Sequence, residues 1–539
     1  MGATVATVVL IPAGASAEPG ITSQLSVGPA GGNAALPSEF EGSSADGGRV
    51  FFTTYEPLVA EDTDSNKDVY ERAGSTTTLL SVGPAAGNGD FDVSYEGASE
   101  DGTKVWFITD EPLLLSDADE RPDVYERDGS TLTHLSLSAS GGNGDVSAFH
   151  EGASADGSSV YIDTAEQLAA EDTDAQADLY RSSGGVVSLV SIGPDGGNSA
   201  GFSPGFAAAS ADGARVVFST AESLVAADAD TAADLYERSG TTTTLLSGGT
   251  ADTPALFRGA STDAANVFFM SQEQLLPEDT DSGFDVYGSV GGTLTRVSQS
   301  ATAGNTAAMP ASFLGSSADG SRVFFGSNES MTNEDADGGA TDVYERSGGA
   351  TTLISRAPTP GADDAEPATL DYVTPDGASV YFSTRLQLAG GDTDSQIDAY
   401  VRRAGQVSLL STGPAGANGP GDAYTQFASA DGSRVVIDTE ASLVGSDADG
   451  GLTDLYERAA GATTLLSTGP TAPAGSTGAA EAIYGGASAD AQRVFFSSEE
   501  RLVAGDPLGE PQSVLQSNRT DECPVHLARE ERWRYVAPQ

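Results

Sequence analysis

The chain is poor in several residue types that would point to a particular chemistry. Its 539 residues hold one cysteine, three histidines and two tryptophans, and Lys and Arg together number 25 against 79 Asp and Glu. A lone Cys523 excludes an intrachain disulfide. His134, His150 and His526 fall in no HExxH or zinc-type spacing, and neither a phosphate loop nor a dinucleotide glycine motif is present. No G-x-S-x-G elbow precedes a helix. The formal net charge of −54 leaves no cationic footprint for nucleic acid and repels an anionic membrane surface. No apolar run approaches the roughly 18 residues needed to span a bilayer. Helical periodicity is missing as well, surviving for ten residues nowhere before position 505.

What is present is a packed fold with a period. A hydrophobic content of 38%, in regularly spaced Val, Phe, Leu and Tyr, argues against disorder. The phrase Ser-Ala-Asp-Gly or a near variant recurs with its aspartate at Asp46, Asp101, Asp156, Asp212, Asp263, Asp319, Asp376, Asp431 and Asp490, every 51 to 59 residues. Each unit reads as four strands. In the first, Phe40–Ser44 and Arg49–Thr53 flank the Asp-Gly turn. A long loop leads to Asp68–Arg72, and a short turn to Thr76–Val82. Asp-Gly and Ala-Gly between β-branched and aromatic runs are hairpin signals. Phe40, Tyr95, Phe206, Phe257, Phe313 and Tyr484, with His150 in the same slot, sit six residues before the turn aspartate and are expected to pack between units.

Thr374-Pro375-Asp376-Gly377-Ala378-Ser379-Val380-Tyr381-Phe382-Ser383-Thr384, followed by Asp398-Ala399-Tyr400, resembles the repeat of TolB-type, WD-like β-propellers. The resemblance covers about residues 40–505. Most units depart from it by Ala in place of Pro and by a longer second-to-third strand loop. It implies an all-β fold, a single large propeller of four-stranded antiparallel blades, while leaving function open. Strand counting gives nine blades, with residues 22–33 supplying the fourth strand of the last; eight blades with frayed ends is the alternative. The propeller is expected over 21–505. Residues 1–17, ending Ala15-Ser16-Ala17, carry the apolar region and cleavage pattern of a truncated secretory signal without its basic start; the alternative is a short buried N-terminal strand. Residues 506–539 form an atypical tail, with Trp533 and an Arg cluster. It reads as a docking segment or as a frameshifted or truncated blade end.

The long loop concentrates the charge. Its aspartates recur as D-x-D-x-x-x-D: Asp62, Asp64, Asp68; Asp117, Asp119, Asp123; Asp172, Asp174, Asp178; Asp228, Asp230, Asp234; Asp279, Asp281, Asp285; and Asp392, Asp394, Asp398. Two units insert a residue: Asp335, Asp337, Asp342 and Asp447, Asp449, Asp454. A glutamate stands six residues before the first Asp at Glu56, Glu111, Glu166, Glu222, Glu273, Glu329 and Glu500. The eight intact loops hold 24 of the aspartates and six of these glutamates, more than half of the imbalance. Hard oxygen ligands at alternating positions suit Ca²⁺, the one cofactor indicated. The spacing is not that of an EF-hand, and the competing reading is Asx-turn chemistry on a solvated loop. Alternation of strand direction puts these loops and the inter-unit GPAGGN-type loops at one end of the strands, with the tight turns at the other.

The expectation drawn from all this is an exported, monomeric, non-enzymatic binding module. It would be secreted, periplasmic or on the cell surface, and would recognise a protein or glycan on the acidic long-loop face. The alternatives are a metal-free TolB-like envelope propeller and a channel-site polysaccharide lyase or glycosidase.

Overall fold

The structure, a computed structural model, describes residues 7–9, 21–32, 34, 36–84, 88–199, 201–301, 309–335, 339–356, 366–414, 420–448, 451–468, 480–498, 502 and 512–517. Most of residues 1–20 and of the tail, with Cys523, Asp337, Asp449 and Glu500, therefore lies outside the described residues. The described residues contain strands and turns and no helix.

Eight four-stranded antiparallel sheets follow one another along the chain, each with its strands in sequence order. They span 38–79, 93–134, 148–189, 205–245, 256–296, 311–353, 368–409 and 423–465. In a ninth, Arg493–Ser498 pairs with Ile483–Ala487, with Gln512–Ser517 and with the N-terminal Thr7–Val9, and Ile21–Gln24 adds to Gln512–Ser517. The chain is thus an all-β protein of repeated propeller blades, as the repeat spacing indicated.

Two compact units are distinguished. One comprises Met1–Ser116, Glu126–Thr133 and Tyr381–Glu531; the other comprises Asp117–Tyr125, His134–Val380 and Arg532–Gln539. Within each, neighbouring sheets bury apolar faces on one another. In the second unit Val217 and Leu235 of the fourth sheet share a core with Val267, Phe269 and Tyr287 of the fifth. In the first unit Val50 and Phe40 of the first sheet pack with Phe495 of the ninth. The lead-in aromatics are the interleaving element: Phe40 stacks on Phe495 at 4.8 Å, Tyr95 on Phe51 at 5.8 Å, and Phe313 on Phe268 at 5.7 Å, while Phe206 meets Tyr161 at 5.1 Å. Each needs room on the preceding sheet. A Cβ on Gly152 would lie 2.6 Å from the Phe206 ring, and one on Gly259 2.8 Å from Phe313, at the bulges that shift the first-strand register.

The tight turns tie the sheets together by backbone. Ser44 Oγ donates to Asp46 Oδ1 at 3.0 Å and accepts from Arg49 N at 3.0 Å, which closes the turn, and Gly47 takes φ +67°. The residue between Ser and Asp donates its N–H to the next turn: Ala155 to Ala211 O, Ala211 to Thr262 O, Thr262 to Ala318 O and Ala318 to Pro375 O, at 2.7–3.1 Å. This accounts for the Ala that replaces Pro in most units, since a proline can accept here and has no hydrogen to give.

Candidate metal site

The second strand of each sheet runs out at the end opposite the tight turns, and the long loop returns as the third strand. The loop is built by its own aspartates. Asp62 Oδ1 accepts from Asp64 N at 3.4 Å, and Asp64 Oδ1 from Asn66 N at 2.7 Å. The same pair of Asx-turns recurs at Asp117/Asp119, Asp172/Asp174, Asp228/Asp230, Asp279/Asp281 and Asp392/Asp394. The second turn uses the backbone N–H of Asn66, Arg121, Gln176, Ala232, Gly283 or Gln396, which is why the side chain at that position varies. Turn chemistry is therefore real.

It does not leave the carboxylates solvated. The first aspartate is buried in all eight loops, from Asp172 at 5% exposed to Asp447 at 9%, and so is the last, from Asp68 and Asp342 at 1% to Asp178 at 6%. Between them Asp64, Asp119, Asp174, Asp230, Asp281 and Asp394 are half-buried. Among the described residues six such trios each offer carboxylate oxygens within 4.8 Å of one another, those of the first five loops included. Asp335 and Asp342, and Asp447 and Asp454, are described without their middle partner.

Each outer aspartate has a hydroxyl partner. The third-strand tyrosine donates to the first: Tyr70 to Asp62, Tyr125 to Asp117, Tyr180 to Asp172, Tyr236 to Asp228, Tyr287 to Asp279, Tyr344 to Asp335, Tyr400 to Asp392 and Tyr456 to Asp447. A serine at the end of the fourth strand donates to the last, as in Ser81 to Asp68, Ser136 to Asp123, Ser191 to Asp178, Ser247 to Asp234 and Ser298 to Asp285 at 2.5–2.6 Å. Neither partner was picked out from the sequence, although both stand at fixed distances from their aspartates. Other oxygens are left over: Asp64 Oδ2, Asp285 Oδ2 and Asp447 Oδ1 are buried and accept no hydrogen bond.

Burial, reinforced by the neighbouring aspartates, holds Asp68 and Asp178 up at about 7 and Asp234 at about 6. In the fifth loop burial raises Asp285 to about 6 against the pull of Arg296 and Ser298. Two ionised carboxylates about 4.8 Å apart repel by about 3 kcal/mol at an effective dielectric of about 20. A cation among them removes that repulsion and satisfies the spare oxygens. Two sheets carry a nitrogen group of their own here. His134 Nε2 lies 2.9 Å from Asp123 Oδ1, and Arg296 Nη2 2.6 Å from Asp285 Oδ1.

The recurring glutamate has a different task. Glu56 accepts Gly32 N at 2.6 Å and Ala34 N at 3.0 Å; Glu222 accepts Gly197 N at 2.7 Å and Asn198 N at 3.3 Å; Glu273 accepts Thr250 N at 2.6 Å and Ala251 N at 2.8 Å. Glu166 binds Gly142 N and Gly144 N in the same way. These carboxylates anchor the inter-sheet loop and do not join the aspartate trio. That loop reaches the trio through its asparagine: Asn88 Oδ1 accepts Thr63 N at 2.8 Å and its Nδ2 donates to Asp68 Oδ2 at 3.0 Å.

No family model matches this chain, and no curated protein matches it. Solved structures do. A structure from work on two prolyl endopeptidases is 14% identical at a TM-score of 0.35, covering 76% of this chain and 56% of its own. The β-propeller domain of the trilobed protease of Pyrococcus furiosus, with an open velcro topology, is 8% identical at 0.30, covering 69% of this chain and 97% of its own. A structure assigned as TolB from Agrobacterium tumefaciens is 14% identical at 0.24, covering 55% and 89%. The chain thus spans little more than half the length of the prolyl endopeptidase it matches. These likenesses concern the fold, and the resemblance to TolB-type propellers stands on the repeated four-stranded sheets. The expectation of a non-enzymatic binding module is corrected, because peptidases are among the similar structures. Missing catalytic motifs in a propeller repeat do not exclude an enzyme. No helix among the described residues is long and apolar enough to cross a membrane.

Proposed function

We propose that this chain is a divalent-cation-binding β-propeller that takes Ca²⁺ into the loop between the second and third strands of its sheets. The observation that carries the reading is the buried aspartate trio, repeated with its oxygens within 4.8 Å of one another and, in the first loop, with a buried Asp64 oxygen that accepts no hydrogen bond. The ligands are the first, second and last aspartate of the loops that hold no nitrogen group of their own, Asp62, Asp64 and Asp68 in the first. Carboxylates at this density suit a hard cation of flexible coordination. The ion joins two long loops, since Asn88 links the trio to the inter-sheet loop, and so staples one end of each blade. A site of this kind with a dissociation constant of about 10⁻⁴–10⁻³ M fills outside the cytoplasm, the compartment this reading requires.

The test is thermal unfolding of the full chain in chelator and in increasing Ca²⁺. At 100 times the dissociation constant each filled site adds about 2.7 kcal/mol, so the melting temperature climbs with Ca²⁺ and Mg²⁺ is a poor substitute. A melting temperature identical in chelator and in 10 mM Ca²⁺ sinks the reading.

A further inference from the structure

Resting on the cation reading above, we propose that Arg296 is a built-in substitute for the bound ion, so that the fifth sheet completes its carboxylate loop without Ca²⁺. The register identifies the slot. Opposite the buried third-strand tyrosine, the last residue of the fourth strand is Leu79, Leu189, Leu245, Leu353, Leu409 or Leu465, whereas opposite Tyr287 it is Arg296. A slot that takes leucine in six other sheets does not demand a charge for packing. Burying a guanidinium there, with its side chain 1% exposed, carries a desolvation cost that the carboxylates must offset.

The guanidinium sits among the oxygens that a hard cation would use. Nη2 is 2.6 Å from Asp285 Oδ1, Nη1 is 3.8 Å from Asp279 Oδ1, and Nη1 donates to the backbone carbonyl of Glu278 at 3.1 Å. It therefore sets its charge against the first and last aspartates as ion pairs and donates to a loop carbonyl, while Nε makes no hydrogen bond. Arginine stays charged under all ordinary conditions and presents its donors in a planar fork. The fifth loop is consequently closed whatever the Ca²⁺ supply, and a divalent ion entering it would meet like charge at close range. His134 occupies the equivalent slot of the second sheet and also turns a nitrogen onto the last aspartate of its loop, a second case of the same placement.

The experiment is equilibrium dialysis of the full chain against Ca²⁺, with bound metal counted by atomic emission, for wild type, Arg296→Leu and Leu245→Arg. Arg296→Leu is expected to bind one more Ca²⁺ per chain than wild type, and Leu245→Arg one fewer. In chelator Arg296→Leu melts below wild type, and millimolar Ca²⁺ closes most of that gap. A wild type that binds Ca²⁺ while both variants bind the same number overturns the substitution and leaves the cation reading intact. A wild type that binds none overturns both, and the wild-type sample alone reveals it. Leucine is the resident of this slot elsewhere, so Arg296→Leu keeps the fold and decides the matter by itself if Leu245→Arg does not accumulate.

Discussion

Tyr236→Phe isolates one hydroxyl in the middle of the candidate site. The phenol is fully buried, donates to Asp228 and to Glu222 O at 3.3 Å, and accepts Leu224 N at 3.4 Å. Phenylalanine keeps the ring, which lies 5.8 Å from Phe218, so no cavity opens. What is lost is a hydrogen bond to a carboxylate, about 1.5–3 kcal/mol, and Asp228 is left with a buried oxygen that has no donor. The two longer contacts are weak. The net expectation is a loss of about 2 kcal/mol in urea denaturation followed by circular dichroism. For a unit the size of His134–Val380 that corresponds to a melting temperature lower by about 4–8 °C. Asp228 is also a proposed ligand, so the variant binds Ca²⁺ more weakly at the fourth loop. Tyr424→Phe, at a residue 37% exposed, is the control and stays within about 0.5 kcal/mol. If Tyr236→Phe proves equally silent, the hydroxyl does not hold the loop and the account of the buried carboxylates is wrong.

Glu222→Gln weakens the two backbone anchors at Gly197 and Asn198. Amide exchange over 193–198 should speed up severalfold with the Ca²⁺ count unchanged, and a lost ion would return this glutamate to the ligand set. Ala460 holds φ +48° in an exposed turn, so Ala460→Gly should stabilise by about 0.5–1 kcal/mol, whereas a loss in denaturant midpoint would show that no strain resides there. Asp163 is raised to about 6 by burial, with Glu151 adding to it. Its folded value lies above its unfolded one, so the native state gains most from it below about pH 4 and loses that gain as pH rises through 6. Asp163→Asn should accordingly raise stability at pH 8 by about 1–2 kcal/mol after allowing for partial solvation and change little at pH 4; equal effects at both pH values would refute the assignment.

The blades were legible because one turn repeats: Ser-x-Asp-Gly, six times intact and three times as a near variant, marks a hairpin at near-constant spacing and leaves few alternatives. Clustering of Asp62, Asp64 and Asp68 was legible for the same reason. The environment of those aspartates was not. A D-x-D-x-x-x-D string does not say whether its carboxylates face water or a tyrosine hydroxyl, because Tyr70 and Ser81 come from other strands and meet the loop only through the register. The recurring glutamate was legible only as part of the loop's charge, because its sequence position does not say what it holds. Its true partners, such as Gly32 and Ala34, lie 24 and 22 residues away. Arg296 passed as an ordinary strand residue in Thr-Leu-Thr-Arg, though a charge where neighbouring units carry leucine was the visible sign.

The turn-to-turn hydrogen bonds have a direction. From Ala155 to Ala318 each turn donates its N–H to the carbonyl of the turn ahead, so a unit such as 205–245, which also accepts from behind, carries a socket and a plug of fixed polarity. A chain built this way can lengthen by copying a unit in place, since the copy fits both its neighbours without any change to them. Pro375 ends the run that starts at Ala155, for it offers a socket without a plug.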